Sequence, residues 1–174
     1  LAGLDRIAAL ARQGHEIGCH TAAHGRLGTI SRAAYLDDCA ANAALLAPIV
    51  GDGGLRTFAY PFGHVRVDLK LAIQRRFRAC RGIHDGLNLG TLDLGRLRAD
   101  PLEGTSADAA RIDALLDETV RRRGWRIFYS HDVCEAPTRF GVTPGLLAHA
   151  VAGALRRGCA VLPVAAALDL AGVP

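Results

Sequence analysis

The sequence of 174 residues lacks methionine altogether and contains a single tryptophan and a single lysine, Lys70. Since translation starts at methionine, and its removal exposes a small residue more readily than leucine, we expect that Leu1 is not the natural N-terminus. Aromatic residues make up 5% and no nucleic-acid-binding motif occurs, so nucleic acid is not expected as a partner although the net charge is +4. No apolar run reaches the roughly 18 residues of a membrane helix, which predicts no membrane span.

The five cysteines are odd in number and never form a CxxC pair. This pattern argues against a disulfide framework and a cysteine-based zinc site, and it predicts small buried hydrophobic side chains instead. Arginine, alanine and glycine are abundant, which is typical of a bacterial genome rich in G and C. The compartment stays open, with the cytoplasm slightly favoured over export, and the oligomeric state is not readable from the sequence.

A hydrophobic fraction of 50% with 22% charged residues predicts a globular protein, which we interpret as one domain over residues 1–174. Helical and extended patterns alternate along it. Helices are predicted for Leu4–Arg12, Ser31–Ala47, Val65–Phe77, Ser106–Arg123 and Thr143–Arg157. Strands are predicted for His15–His20, Arg56–Tyr60, Ala79–Ile83, Leu94–Ala99, Trp125–Ser130 and Cys159–Val164.

This alternation favours parallel strands joined by helical crossovers. An open doubly wound sheet is the rival architecture, but it normally carries a glycine-rich phosphate loop, which is absent here. We therefore predict an α/β fold, and within it a deformed (β/α) barrel. Because the first pattern in the chain is a helix, we expect the first strand of that barrel to be missing from the sequence.

Residues that could take part in catalysis or binding follow the ends of the predicted strands. In a parallel α/β barrel the carboxyl ends of the strands form one face, and catalysis takes place there. We therefore expect these residues to converge in space. They are His20, Thr21 and His24, then Pro61, Phe62 and Gly63, then Arg81 and His84, then Arg98 and Asp100, and finally His131 and Asp132.

Two histidine signals are the sharpest of this set. His20 and His24 are four residues apart, a spacing at which two imidazoles on one helical turn can bind one metal ion. The alternative is a pair of solvated loop histidines. Cys19 should point away from His20 if the strand continues, so we do not expect it to be a metal ligand. His131 follows a predicted buried strand and suits a general acid that protonates a leaving group. The alternative is that His131 and Asp132 form a capping dipeptide with no catalytic role.

Three segments carry a combined pattern: GHEIGCHTAAH at residues 14–24, FAYPFG at 58–63 and IFYSHD at 127–132. In order and spacing they resemble motifs of the polysaccharide deacetylases, carbohydrate esterase family 4, across nearly the whole chain. The first is similar to the family's metal-binding H-[ST]-x-x-H motif. The second is similar to its third motif, which forms one wall of the groove, and the last to its fifth motif, which ends in the catalytic histidine.

The resemblance implies metal-dependent hydrolysis of N- or O-acetyl groups on a carbohydrate, with zinc or another divalent metal ion as cofactor. It also implies roles for individual residues. These are His20 and His24 as metal ligands, His131 and Asp132 as catalytic residues, and Tyr60, Pro61, Phe62 and Arg81 around the substrate and the oxyanion.

The sequence departs from the family pattern in three places. The first motif, two aspartates that serve as general base and third metal ligand, has no counterpart before Gly14. The arginine of the third motif falls on Ala59, with Arg56 or Arg81 as candidate replacements, and the fourth motif is not evident around residues 81–88. We therefore expect this chain to be impaired as an enzyme. A non-catalytic carbohydrate- or metal-binding remnant and a metal-dependent hydrolase of a small amide are the alternatives. The second stays open because the few aromatic residues leave little stacking surface for a long sugar chain.

Overall fold

A computed structural model describes residues 3–173 of the chain. Within this range there are six α-helices and four short strands. In chain order they are α1 (Leu4–Arg12), α2 (Arg32–Val50), β1 (Thr57–Ala59), α3 (Val67–Gln74), β2 (Ala79–Arg81), β3 (Asp100–Pro101), α4 (Ala109–Arg122), β4 (Phe128–Tyr129), α5 (Pro144–Arg156) and α6 (Val164–Leu170).

The strands pair in parallel, each with its nearest neighbour along the chain. β1 pairs with β2, with Thr57 opposite Ala79, and β3 pairs with β4, with Asp100 opposite Phe128. Isolated parallel bridges extend the β1–β2 sheet on both sides, from Cys19 to Phe58 and from Arg81 to Leu97. Parallel strands with intervening helices confirm the predicted α/β class. The ladders of residues 3–173 form two two-stranded sheets, and they do not close into a barrel.

Helix ends follow local signals in the sequence. α1 stops before Gly14, whose φ of 88° is strained for any residue with a Cβ. Ser31 Oγ accepts a hydrogen bond from the N–H of Ala34 at the start of α2, and Thr143 Oγ1 accepts one from Leu146 at the start of α5. Before α4 the capping residue is Thr105, one position earlier than the expected Ser106, because a 3₁₀ turn over Ser106–Asp108 precedes the helix.

Four expectations about secondary structure are wrong. Residues 15–20 and 94–99 form no strand and contribute only isolated bridges, at Cys19 and Leu97. α2 continues through Pro48 to Val50, since a proline near the end of a helix removes only one hydrogen bond and the turn can close around it. Residues 159–163 form no strand, and α6 begins at Val164, inside the predicted strand. An extended segment becomes a strand only where a neighbour supplies ladder hydrogen bonds, and none of the residues from 3 to 173 does so here.

The described chain divides into two compact units. The first unit holds the residues up to 82, residues 93–97 and the residues from 163 onward. The second unit holds residues 83–92 and 98–162. The prediction of a single domain over residues 1–174 stays a prediction.

The core of the first unit is built around aromatic residues from α2 and β1. Phe58 is buried between Tyr60, Phe77 and Tyr35, with ring centroids 5.0, 5.2 and 6.4 Å from its own. Cys19 is also buried in this core. The extended segment that precedes the histidine pair is therefore anchored on its inner side.

The length and apolar composition of α2 would allow it to cross a membrane, with a mean hydropathy of 1.2 over 18 residues. The expectation that no segment reaches this length is corrected. However, Asp37 and Asp38 interrupt the apolar sequence, and one helix of this length and composition is weak evidence for a membrane span. α2 therefore gives no argument for a membrane span.

The second unit has its own core, formed where α4 packs against α5. Its buried side chains come from both helices and from the segments beside them. They are Leu102, Ile112, Leu116, Val142, Leu146, Ala150 and Ala154. This packing fixes β4, and the end of β4 leads directly into His131.

Candidate metal centre

The histidine pair begins where the chain leaves the first sheet. The N–H of Cys19 donates to the carbonyl of Thr57 at 2.8 Å, and the N–H of Ala59 donates to the carbonyl of Cys19 at 2.9 Å. Cys19 is 1% exposed, whereas His20 is exposed, so the two side chains point in opposite directions as expected for extended backbone. β1 thus fixes the position of the backbone immediately before His20.

The loop after His20 has an unusual backbone. Thr21 and His24 have φ angles of 60° and 52°, in the left-handed region that residues with a Cβ seldom adopt. Each costs about 1–2 kcal/mol relative to right-handed backbone. The hydroxyl of Thr21 accepts a hydrogen bond of 3.0 Å from the N–H of His24, so part of that cost is offset within the loop. This conformation turns the chain back and brings the two histidine rings together.

The two imidazoles meet through their Nε2 atoms, which lie 3.1 Å apart. His20 Nδ1 lies 2.7 Å from the carbonyl oxygen of Ala59, so this nitrogen donates and Nε2 is the basic nitrogen of that ring. Two Zn–N bonds of about 2.05 Å at a tetrahedral angle would separate the nitrogens by about 3.3 Å. The observed spacing and the fixed tautomer therefore fit a metal ion shared by His20 and His24.

A third ligand is not supplied alongside this pair. Within residues 3–173, no group of three or more histidine, cysteine, aspartate or glutamate side chains could hold a metal ion together. Catalytic zinc usually has three protein ligands. The pair by itself is an incomplete catalytic site.

The segment after β1 forms one wall beside His24. Pro61–Gly63 is a 3₁₀ turn in which Phe62 has a φ of 57°, and its ring lies 4.5 Å from that of His24 at an angle of 61°. The guanidinium carbon of Arg26 lies 4.2 Å from the centroid of the Phe62 ring. None of the hydrogen bonds found among residues 3–173 uses the N–H of Phe62. This wall therefore offers an aromatic surface and a backbone donor.

The other expected substrate residues lie deeper. Tyr60 is buried, its hydroxyl donates to the carbonyl of Gly95 at 3.1 Å, and burial raises the pKa of the phenol. Its side chain serves the core, so only its backbone borders the wall. Arg81 is half-buried in β2, where its carbonyl accepts from the N–H of Tyr60 at 3.0 Å and its guanidinium lies 3.4 Å from the carbonyl of Gly82.

His131 and Asp132 lie in the second unit, at the end of β4. His131 Nδ1 is 3.2 Å from the carbonyl oxygen of Phe140, so it donates there, and the ring also packs against the ring of Phe140 at 5.6 Å. This fixes the tautomer and leaves Nε2 as the atom that can exchange a proton. The orientation suits a general acid.

Asp132 is engaged in closing the loop that follows it. Its carboxylate accepts hydrogen bonds from the N–H of Thr138 at 2.8 Å and from the hydroxyl of Thr138 at 2.5 Å. These bonds hold the pKa of Asp132 below its usual value. The loop returns to Phe140, the partner of His131, so Asp132 supports the histidine through this loop.

Sequence reasoning missed two residues beside the histidine pair. Arg26 lies over Phe62, and Asp38 of α2 accepts hydrogen bonds from the loop between the histidines. Arg26 follows His24 by two residues, and that proximity was a usable signal. No local pattern distinguishes Asp38 from its neighbour Asp37.

Comparison with known proteins gives one match. Residues 3–77 match the family model described as polysaccharide deacetylase. This stretch of 75 residues, from 3 to 77, covers the histidine pair and the wall but not His131. No curated protein and no solved structure matches the chain.

Proposed function

We propose that this chain, whose residues 3–77 match the polysaccharide deacetylase family model, uses its site for metal-dependent hydrolysis of acetyl groups on a carbohydrate. The observation that carries the proposal is the 3.1 Å separation of the Nε2 atoms of His20 and His24. The pair lies within the matched stretch and fits one divalent metal ion, for which zinc has the appropriate ligand chemistry.

Each residue then has a chemical task. A divalent ion bound by His20 and His24 would supply Lewis-acid polarisation of the acetyl carbonyl and a lowered pKa for a water molecule. The N–H of Phe62 would donate to the carbonyl oxygen as negative charge develops on it, and the Phe62 ring would contact the sugar. His131, with both ring nitrogens protonated, would give the proton on its Nε2 to the departing amine or alcohol.

We propose that the parallel strands belong to a deformed (β/α) barrel, a fold in which catalysis takes place at the carboxyl ends of the strands. The pairing of each strand with its next neighbour along the chain supports this arrangement, since barrel strands follow one another in this order.

The chain of 174 residues should by itself have negligible deacetylase activity and weak zinc affinity. Two imidazoles and no carboxylate give fewer ligands than catalytic zinc normally has, and the group lacks a general base. The same observation favours a second candidate function, binding of a metal or a carbohydrate without catalysis.

Acetate release separates these functions. The purified chain is incubated with zinc and with chitooligosaccharides, acetylxylan or small acetylated amides, beside the His20→Ala and His15→Ala variants. His15 is an exposed control on the same extended segment. Trace zinc-dependent release from a carbohydrate that His20→Ala abolishes and His15→Ala retains supports the proposal.

Other results decide against it. Release from small amides alone assigns the site to a small-amide hydrolase. Zinc or glycan binding with no release above the His20→Ala background favours the non-catalytic function. Robust release by the isolated chain would contradict the expected impairment and point to a carboxylate that completes the site.

A further inference from the structure

Helix α2 presents a carboxylate to the back of the histidine loop. Asp38 Oδ1 accepts hydrogen bonds from the N–H groups of Ala22 at 3.2 Å and Ala23 at 3.0 Å, and its Oδ2 lies 3.2 Å from the N–H of Ala23. The next N–H, that of His24, is taken by the hydroxyl of Thr21. The backbone N–H groups of three consecutive residues, 22–24, are thus satisfied by side-chain oxygens. Asp38 accepts from the first two of them.

The position of Asp38 is itself rigid. Its helical neighbours Tyr35 and Cys39 are fully buried in the core of the first unit, together with Cys19 from the segment that leads into the loop. The carboxylate therefore projects from a packed helix onto a loop whose other end is held by β1. A loop held at both sides in this way can keep the left-handed backbone at Thr21 and His24.

We propose that Asp38 is a positioning residue of the metal centre, whose hydrogen bonds to the loop hold the Nε2 atoms of His20 and His24 at the spacing that one metal ion needs. The inference rests on the proposed function, since it assigns Asp38 a role toward the same metal. The hydrogen bonds of Asp38 described above go to backbone N–H groups and not to the histidine rings. Asp38 acts through the backbone, as supporting partners of metal ligands commonly do.

Three variants of the full chain distinguish the effect of the hydrogen bonds that Asp38 accepts from the effect of its negative charge. Asp38→Ala removes both the acceptor and the charge, whereas Asp38→Asn keeps an oxygen that can accept from Ala22 and Ala23 and removes only the charge. Asp37→Ala is the matched control, because Asp37 is the exposed neighbour on the same helix and carries the same charge. Thermal unfolding followed by circular dichroism checks that each variant is folded.

The first measurement is titration of the metal-free chain with Co²⁺, followed by the visible absorption of the bound ion. Asp38→Ala should weaken Co²⁺ binding about tenfold or more, in the range found for supporting partners of metal ligands. Asp38→Asn should recover most of the affinity, and Asp37→Ala should leave it unchanged. Equal losses in Asp38→Asn and Asp38→Ala would overturn the proposal, because charge and not position would then be responsible.

The second measurement needs no metal. In the metal-free chain with ¹⁵N-labelled histidine, long-range ¹H–¹⁵N spectra report the tautomer of each ring. Asp38→Ala should change the ring-nitrogen shifts of His20 and His24, with Asp38→Asn and Asp37→Ala close to the parent chain. Unchanged shifts in Asp38→Ala would overturn the positioning role even if Co²⁺ binds. Changed shifts without Co²⁺ binding in any variant would support the positioning role and instead refute the proposed metal function.

Discussion

The buried ion pair between Arg126 and Asp100 offers a sharp test of the second unit. Their side chains are 2% and 4% exposed, and Arg126 Nη1 lies 2.7 Å from Asp100 Oδ2. Asp100 also accepts the N–H of Gly86, at 3.2 and 3.3 Å from its two oxygens. The N–H of Asp100 donates to the carbonyl of Ile127, so the pair joins β3 to the strand that leads to His131.

Replacing Arg126 with methionine keeps most of the side-chain volume but leaves the Asp100 carboxylate buried without a counter-charge. Removing one partner of a buried pair costs about 3–5 kcal/mol of the free energy of unfolding. Further loss is expected from the bonds of Arg126 to Glu118 at 2.8 Å and to Thr119 at 2.9 Å. We therefore predict a destabilisation of at least about 3 kcal/mol for Arg126→Met.

Urea unfolding followed by tryptophan fluorescence measures this effect, because the single tryptophan, Trp125, is the neighbour of Arg126 in the second unit. The control is Arg122→Met, which removes an exposed contact of 3.2 Å to the same Glu118 and should change stability by less than about 1 kcal/mol. The double variant Asp100→Asn/Arg126→Met should be more stable than Arg126→Met alone, because no buried charge remains. A loss below about 1 kcal/mol in Arg126→Met would refute the reasoning, because the carboxylate would then be hydrated or differently paired.

Three further predictions follow from single contacts. Tyr35→Phe should leave stability unchanged or raise it by up to about 1 kcal/mol in urea unfolding, because no partner for its buried hydroxyl is found among residues 3–173; a clear loss would reveal a hidden hydrogen bond. Thr138→Ala removes the main cause of the lowered pKa of Asp132, whose stabilisation is present above the unfolded pKa of about 3.9 and is lost as the pH falls through the folded pKa. Its destabilisation in urea should therefore be seen at pH 7 and shrink below about pH 4, and a pH-independent loss would contradict this cause. Phe62→Leu should lower the affinity for an acetylated oligosaccharide in calorimetry while Zn²⁺ affinity is kept; equal loss of both would show that the ring supports His24 and not the sugar.

The parts of the fold that depend on neighbouring residues were predictable from the sequence. The end of α1 at Gly14 and the start of α5 at Thr143-Pro144 are set by backbone and capping preferences that act within one turn. The strands were harder, because their ends depend on partners distant in sequence. The extended pattern over residues 159–163 has the composition of a strand, and it forms none because no ladder partner lies beside it in the described chain.

The candidate site was also predictable only where it depends on residues close together in the sequence. The spacing of His20 and His24 predicted that their rings lie together, although their contact arises from left-handed backbone in a loop and not from a helical turn. The role of Asp38 was invisible, because the phase of α2 alone decides which of two adjacent aspartates faces a loop 15 residues earlier in the chain.

The most direct test of the account is the zinc X-ray absorption spectrum of the loaded chain. The account predicts two imidazole ligands at about 2.0–2.1 Å, with water or buffer oxygen completing the shell, and one imidazole fewer in His20→Ala. The His15→Ala control should leave the imidazole count unchanged. Zinc–sulfur distances of about 2.3 Å, or an imidazole count unaffected by His20→Ala, would place the metal elsewhere and contradict the account.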